Sequence, residues 1–379
     1  MSFVLSEEQE LIQETAREFV RSQGSIDALR TLRDQRSEPG YDTKLWREMA
    51  DLGWTGIPFP EEYGGAGLGH AELGIVLEQL GTRLVISPML STVVLAGGVI
   101  LEAGSPEQKQ NFLTRIVGGE AVLALAYQET PRHDPWAIAT TAREAGGGYV
   151  LTGRKTLVLD GAAADHWIVA ARTSGEPGER EGLSLFIVDR DTEGVSIEST
   201  FLIDSRSAAN LSLDGVHLGT DRLLGELGSG AEVLETTFDR AMVAIASEML
   251  GGIQEVFDQT VAYLKEREQF GVKIGSFQAL KHRIARVFCE VELTRSIVTD
   301  AWRALDEEDP ARSKIASTCK ARASDTYHLA SNESIQLHGG IGVTDEQDIG
   351  FFLKRARVCE LLLGDSSYQR RRFAELSGY

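Results

Sequence analysis

The chain has 379 residues, of which 42% are hydrophobic, and a net charge of −19. This length suits two or three domains of a globular protein. The negative charge argues against a nucleic-acid-binding protein, which needs a basic face. No apolar run approaches the ~20 residues that span a bilayer, so we expect no membrane span.

The composition also argues against a secreted or metal-binding protein. The first residues, MSFVLSEEQELIQ, lack a basic region followed by an apolar stretch, so no secretory signal is expected. Cys289, Cys319 and Cys359 are far apart and fit neither a disulfide framework nor a Cys/His metal site. We therefore expect a cytoplasmic protein with reduced thiols and no metal.

The first 120 residues have the periodicity of helices. In SEEQELIQETAREFVRSQG, Ser6 and Gln9 form a capping-box pattern, and apolar residues then recur on one face. In SPEQKQNFLTRIVGG, Ser105 has the N-cap position and Pro106 the first helical position. The sequence predicts an N-terminal helical domain at 1–120.

Between residues 121 and 228 the period changes to two. Seven short runs rich in aliphatic and β-branched residues, from AVLALAY to NLSLDGVHL, are separated by turn sequences such as AGGG and SGEPGEREG. Strands without intervening helices predict an antiparallel β-barrel or sandwich at 121–228.

Residues 229–379 are helical again. The segment from Glu232 to Phe270 is periodic almost throughout, and such length favours a helix bundle with subunit contacts. The predicted fold class is therefore α+β, with an N-terminal helical domain, a central antiparallel β-barrel or sandwich, and a C-terminal helical bundle.

The segment LKEREQFGVKIGSFQALKHR (264–283) joins a charged helix end to a new helix. On the residues alone it fits an αα-hairpin with a Gly C-cap and a solvated basic edge. In a functional interpretation, Arg267 instead binds a diphosphate and Phe270 packs against a flat ring. Gln278 then lies at the start of the next helix, as part of the same site. Both interpretations stay open at this point.

The segment QLHGGIGVTDEQD (336–348) places Gly339 and Gly340 after an amphipathic helix. Paired glycines fit a helix terminus, and they also fit a place where a cofactor approaches the backbone. His338 is interpreted as an ordinary hydrogen-bonded histidine.

In chain order, LSEEQELIQETAREFV, GIPFPEEYGGAGLG, the strand-rich centre, EREQFGVKIGSFQALKHRIA and IQLHGGIGVT resemble the acyl-CoA dehydrogenase family over almost the whole chain. The resemblance implies an FAD-containing oxidoreductase of fatty acid or steroid catabolism that acts on an acyl-CoA thioester. It also implies a homo- or heterotetramer and an electron-transferring flavoprotein as electron acceptor.

The resemblance assigns two groups of site residues. The residues matched to cofactor-binding positions fall into three sets, which together imply FAD bound across a subunit interface. Arg267, Phe277 and Gln278, with Phe270 close by, match positions that bind FAD. The segment that receives the FAD of a neighbouring subunit corresponds to Gln336, Leu337, His338, Gly339 and Gly340, and a further flavin-contacting turn corresponds to Asp365 and Ser367. Those matched to positions near the thioester and CoA are Phe238, Asp239, Arg240 and Gly364.

The catalytic base is missing from both positions where the family carries it. The usual glutamate corresponds to Leu363, and the alternative position on the long helix corresponds to Ala241. Neither side chain accepts a proton, so the catalytic residue is unknown from the sequence. Asp365 could replace the missing base if a shifted turn placed its carboxylate at the usual glutamate position. It is interpreted instead as a cap of the Gly364 turn. Glu248 is interpreted as too distant.

The central segment also departs from the family pattern. Its flavin loop reads YQETPRHDPWA (127–137), and the family's tryptophan–isoleucine–threonine triplet reads Leu157, Val158 and Leu159. This triplet therefore has no hydroxyl that could bond a flavin.

The resemblance leaves three functions open. The first is an acyl-CoA dehydrogenase, or a subunit of a heteromeric one, that would form a 2,3-enoyl-CoA with a base supplied by a partner chain. The second is a non-catalytic structural subunit, and the third is a flavin-dependent oxygenase on the same fold. The acyl chain and the pathway are not encoded in these motifs.

Overall fold

The computed structural model describes residues 5–36 and 38–379. The expectation about an N-terminal signal includes residues 1–4, which lie outside the described part. The helices that precede the strands are α1 (Glu7–Gln23), α2 (Ile26–Gln35), α3 (Thr43–Asp51), α4 (His70–Thr82), a π-helix (Met89–Ala96), α5 (Gly97–Ala103) and α6 (Pro106–Val117). A capping box at Ser6 begins α1, and Ser105 is the N-cap of α6, as the sequence predicts; Ser105 also forms a capping box with Gln108.

The central segment forms one eight-stranded sheet. Its strands are β1 (Leu123–Ala126), β2 (Thr141–Ala145), β3 (Gly148–Leu159), β4 (His166–Arg172), β5 (Leu183–Asp189), β6 (Val195–Phe201), β7 (Ser207–Gly219) and β8 (Leu223–Leu224). The order is β6-β7-β3-β2-β4-β5-β8, with β1 beside β4.

The sheet is mixed rather than purely antiparallel. β1 runs parallel to β4, and β2 makes one parallel pairing with β4. The chain passes through the antiparallel pair β2–β3 before it returns as β4 beside β1, so this connection is a crossover, which joins parallel neighbours. The seven predicted strands all form, and the predicted α+β class is confirmed.

The last segment is helical except for one small hairpin. Its elements are α7 (Gly230–Glu266), β9 (Glu268–Gln269), β10 (Val272–Lys273), α8 (Gln278–Asp306), α9 (Arg312–His338), α10 (Ile349–Leu361) and α11 (Ser366–Leu376). Among the described helices, none is both long and apolar enough to cross a bilayer.

The described chain forms two compact units. The first unit comprises the described residues of Met1–Thr31, Gly69–Val85 and Met242–Tyr379, and the second comprises those of Leu32–Leu68 and Ile86–Ala241. The predicted domain limits of 1–120, 121–228 and 229–379 rest on periodicity alone and stay predictions.

In the first unit, α4 and α7 approach each other at two glycines. A Cβ atom on Gly81 would lie 2.0 Å from the Glu248 carbonyl oxygen, and one on Gly251 would lie 1.8 Å from the Glu78 carbonyl oxygen. Any side chain at either position would therefore force the two backbones apart. This contact fixes the part of α7 that carries Glu248.

Helix α9 is buried on several sides, since it packs against α8, α10 and α11. Small residues such as Ala316, Ala323 and Ala330 make this close packing possible. A lysine, Lys320, is fully buried in the same helix. Polar groups on α9 must therefore find partners inside the protein.

Candidate active site

The hairpin between α7 and α8 carries two of the predicted cofactor residues. Arg267 follows the last residue of α7, and Phe270 lies at the tip of the β9–β10 hairpin, where 91% of it is exposed. Phe270 and Gly271 both have positive φ, +56° and +77°, as a two-residue hairpin turn requires. The αα-hairpin prediction missed this β-hairpin because the strands have only two residues each.

Phe277 and Gln278 mark the start of α8. Phe277 is the N-cap residue and is partly exposed, and Gln278 is the first residue of the helix. The rings of Phe270 and Phe277 meet edge to face with centroids 6.2 Å apart. The hairpin and the helix start therefore form one exposed aromatic surface beside Arg267.

The end of α9 lies against the end of α7. The Tyr263 and His338 rings stack at 4.3 Å, and the Tyr263 hydroxyl donates to the His338 carbonyl oxygen at 3.3 Å. His338 Nδ1 lies 2.8 Å from the Ser334 carbonyl oxygen, and burial lowers the pKa of the imidazole. The histidine side chain is therefore engaged inside the unit.

Next to that histidine the backbone is open. Gly339 has φ +66°, and a Cβ atom built on Gly339 or Gly340 would meet no atom within 4 Å. Gln336 is exposed, whereas Leu337 is buried. The contact between Tyr263 and His338 thus brings the Gly339–Gly340 turn and the Arg267 region to neighbouring helix ends.

The turn between α10 and α11 contains Leu363, which is only 4% exposed. Leu363 has φ +59° and Gly364 has φ +90°, so two consecutive residues are left-handed. A side chain at position 364 would also collide with the Tyr368 ring, at 2.4 Å. The chain therefore folds sharply here and places residue 363 inside the unit.

Two buried side chains hold the carbonyl groups of this turn. Gln369 Nε2 donates to the Leu363 carbonyl oxygen at 2.5 Å, and Lys320 Nζ donates to the Gly364 carbonyl oxygen at 3.1 Å. Neither contact was predicted from the sequence, where nothing near Lys320 on α9 indicates a partner some forty residues further along the chain.

The two carboxylates considered as substitute bases have other partners. Glu248 Oε1 lies 2.6 Å from Arg355 Nη1, and both side chains are buried. Asp365 is the N-cap of α11 and accepts from the Tyr368 amide at 2.8 Å. Asp365 therefore caps the following helix, whereas the sequence suggested a cap of the Gly364 turn. Ser367 lies in the first turn of α11 and is exposed.

Three of the four residues matched to the thioester and CoA, Phe238, Asp239 and Arg240, lie in the second unit, whereas Gly364 lies in the first. Phe238, Asp239 and Ala241 are buried on α7, and Arg240 pairs with Glu102 at 3.1 Å. The Phe238 ring packs on the Tyr127 ring at a centroid distance of 4.8 Å.

A buried ion pair anchors the loop that begins at Tyr127. Lys155 Nζ lies 2.5 Å from Glu129 Oε1, and Glu129 also accepts from the Ala139 amide at 2.7 Å. Burial lowers the pKa of Lys155 to about 8, although Glu129 opposes that shift. The loop is thereby tied to β3, next to the triplet at Leu157.

The Leu157 position is strained and partly exposed. Its φ is +52°, and it lies at an irregularity in the pairing of β3 with β7. Asn210 Oδ1 accepts from both the Leu157 amide and the Thr156 hydroxyl, each at 3.1 Å. The Thr130 hydroxyl donates to the Arg132 carbonyl oxygen at 2.6 Å. Both nearby hydroxyl groups are therefore used within the protein.

A metal ion would need several donor side chains close together in the part of the chain that the structure describes. There, no group of three or more His, Cys, Asp or Glu side chains is arranged to hold a metal ion. The groups that the first unit offers a ligand are the Arg267 cation, the rings of Phe270 and Phe277, and the open backbone at Gly339 and Gly340.

Comparison with known proteins covers nearly the whole chain. Family models match at residues 6–120 (acyl-CoA dehydrogenase, N-terminal domain), 125–216 (middle domain) and 228–377 (C-terminal domain). A probable acyl-CoA dehydrogenase, YngJ of Bacillus subtilis (strain 168), is 31% identical over 98% of both chains.

Two solved structures extend this similarity to the fold. A variant of the Tcur3481–Tcur3483 steroid acyl-CoA dehydrogenase has 34% identity and a TM-score of 0.87 over 98% of both chains. The ChsE4–ChsE5 complex from Mycobacterium tuberculosis has 29% identity and a TM-score of 0.88, over 99% of this chain and 98% of that one. The chain therefore belongs to the acyl-CoA dehydrogenase family, whose members are FAD-dependent flavoprotein oxidoreductases.

Proposed function

We propose that this chain is an FAD-binding subunit of a heteromeric acyl-CoA dehydrogenase and that its unlike partner supplies the catalytic base. In the overall reaction the acyl-CoA loses a proton from the carbon next to the thioester carbonyl and a hydride from the neighbouring carbon. The product is the 2,3-enoyl-CoA. FAD, when bound, supplies the acceptor for the hydride, and the base takes the proton.

One observation carries this proposal. Both positions where the family places the base hold buried apolar side chains, Leu363 and Ala241. Glu248 is committed to Arg355, and Asp365 to the start of α11. A general base must be within hydrogen-bonding reach of the proton that it removes. The proton acceptor is therefore assigned to another chain.

The residues of the first unit fit the diphosphate end of FAD. Arg267 offers a charge-assisted contact to a phosphate, and the exposed rings of Phe270 and Phe277 offer flat apolar surface. The open backbone at Gly339 and Gly340 lets a ligand approach without meeting a side chain. In this proposal these residues bind and orient the cofactor.

Within the chain, the Leu363 turn has a shaping role. Leu363 presents a leucine side chain where a carboxylate would otherwise lie, so it excludes water and contributes no charge. Asp365 and Ser367 follow on the same turn and are proposed to contact the flavin.

A specific observation favours a second candidate, a structural subunit without its own flavin. The hydroxyl groups of Thr156 and Thr130 are bonded within the second unit, and the triplet at Leu157 has none. The flavin ring would therefore find few hydrogen-bonding groups on this side.

The similar solved structures support a two-chain assembly and a bulky substrate. One is a complex of the unlike chains ChsE4 and ChsE5, and another is described as a steroid acyl-CoA dehydrogenase. We propose a steroid side-chain or comparably bulky acyl-CoA as the substrate, a heterotetramer as the assembly, and an electron-transferring flavoprotein as the electron acceptor.

Co-expression tests this function. The chain is purified alone and together with the products of adjacent genes, and each preparation is assayed for flavin absorbance and for the mass of the assembly. The proposal predicts a flavin-containing assembly of unlike chains. A colourless assembly of unlike chains would favour the structural subunit.

A further inference from the structure

Lys320 is a fully buried cation that the proposed reaction does not use. A buried ammonium group is unfavourable unless its N–H groups are hydrogen-bonded. Here the Nζ atom lies 3.1 Å from each of three oxygens: the Ser324 hydroxyl, the Glu360 carbonyl and the Gly364 carbonyl. A lysine has three donors, so all three are used.

Two of these three bonds join α9 to the chain around the α10–α11 connection: one goes to the end of α10 and one to the Gly364 turn. Glu360 lies in the last turn of α10, whose final carbonyl groups have no partner within the helix. A cation near a helix C-terminus also interacts favourably with the helix dipole. Lys320 therefore connects the end of α10 to the Gly364 turn through one atom.

The turn needs such a connection because its backbone is strained. A leucine in the left-handed region is unfavourable, and such residues persist only where surrounding structure holds them. Leu363 and Gly364 are held through their carbonyl oxygens, by Gln369 and Lys320 respectively. Both contacts come from side chains that are fully buried.

We propose that Lys320 is a positioning residue, which fixes the Leu363–Gly364 turn so that Asp365 and Ser367 meet the flavin in one defined geometry. This inference rests on the proposed function, because it gives the turn a role toward FAD. Without the Lys320 bonds the Gly364 carbonyl would lose its buried partner, and the turn would relax toward less strained conformations.

The test uses the full chain in the assembly that contains flavin, with FAD itself as the probe. Lys320→Met removes the three donors and keeps a linear apolar side chain. Thr326→Val is the matched control, because the Thr294–Thr326 hydroxyl bond of 2.8 Å is also buried on α9 but does not involve the turn. FAD is removed and titrated back below the melting temperature of every variant, and the spectrum of the bound flavin is recorded.

The positioning role predicts that Lys320→Met weakens FAD binding about tenfold or more and alters the bound flavin spectrum. Thr326→Val should bind FAD within about twofold of wild type despite its lower stability. Equal FAD affinity and identical spectra for wild type and Lys320→Met would overturn the inference and leave Lys320 a purely structural group.

If Lys320→Met does not fold, FAD binding by the Lys320→Arg variant tests the positioning role instead. The longer, planar guanidinium retains the charge but displaces the carbonyl groups, so FAD binding should fall at least about threefold in a folded protein. Unchanged binding by Lys320→Arg would contradict the positioning role. Absence of FAD from wild type in every assembly would instead refute the proposed function, which distinguishes the two failures.

Discussion

Glu248 and Arg355 form a buried salt bridge, with Oε1 and Nη1 2.6 Å apart. Arg355 also donates to the Leu84 carbonyl oxygen at 3.3 Å, so it links α10 to α7 and to the chain after α4. A glutamate held in this way is committed to the fold. Its carboxylate is therefore not the missing base.

This pair predicts a stability effect for Glu248→Gln. The change leaves the Arg355 charge buried without its carboxylate, which typically reduces the free energy of unfolding by about 3–5 kcal/mol. The measurement is chemical denaturation of the purified assembly. The double variant Glu248→Met/Arg355→Leu should lose much less stability, because it buries no charge. If the two variants are equally stable, the salt bridge does not have this role.

Because burial lowers the pKa of Lys320, we expect its contribution to the free energy of unfolding to rise with pH in the alkaline range. Burial lowers its pKa from 10.5 to about 8, while the nearby Cys359, Glu360, Asp365 and Cys319 oppose the shift. Between these pH values the unfolded chain keeps the proton and the folded chain releases it. The contribution of Lys320 to the free energy of unfolding therefore rises there, by about 1 kcal/mol per pH unit, and is flat below pH 8.

Denaturation of wild type and Lys320→Met across this pH range measures that contribution. The difference in free energy of unfolding between the two proteins should grow with pH, since only wild type carries the titrating group. A difference that stays constant from pH 8 to pH 10.5 would show that Lys320 keeps its proton in the folded state.

Arg267→Ala tests the proposed diphosphate contact. Loss of a charge-assisted hydrogen bond should weaken FAD binding by roughly 1.5–3 kcal/mol. Lys273→Ala is the control on the same hairpin, because Lys273 pairs with Glu268 at 2.8 Å. FAD titration of the flavin-free proteins gives both values. Equal affinities for the two variants would remove Arg267 from the cofactor site.

Leu363→Glu tests the vacant base position. The new carboxylate would lie where the Leu363 side chain is only 4% exposed, and desolvation there raises its pKa. Any gain in acyl-CoA oxidation by the chain alone should therefore be small and appear mainly at alkaline pH. Leu363→Gln is the matched control, with a similar shape but no base. An equal gain in both variants would mean that the effect comes from shape alone.

Much of the fold follows from periodicity. The change between periods of 3.6 and 2 predicted the helices on both sides and all seven long strands, and the capping pattern predicted where α1 and α6 begin. The parallel pairing of β1 with β4 could not be predicted in this way, because it depends on strand order rather than on local pattern.

The candidate site was less predictable than the fold. The site residues were assigned by resemblance to the acyl-CoA dehydrogenase family. That Arg267, Gln278 and the other assigned residues bind FAD stays a prediction. The contacts that position them join residues far apart in the chain, such as Lys320 with Gly364. The residues around Lys320 in the sequence give no signal of its partner, so only the folded structure reveals that contact.

The most direct test compares acyl-CoA oxidation by this chain alone and by its complex with the unlike partner, using an artificial electron acceptor and a bulky acyl-CoA. A positioned base typically contributes about 10²–10⁴-fold to the rate. If the partner supplies the base, the complex should turn over and the chain alone should show little or no activity, even with FAD bound. Vigorous turnover by the chain alone would contradict a base supplied by the partner and would direct attention to Asp365.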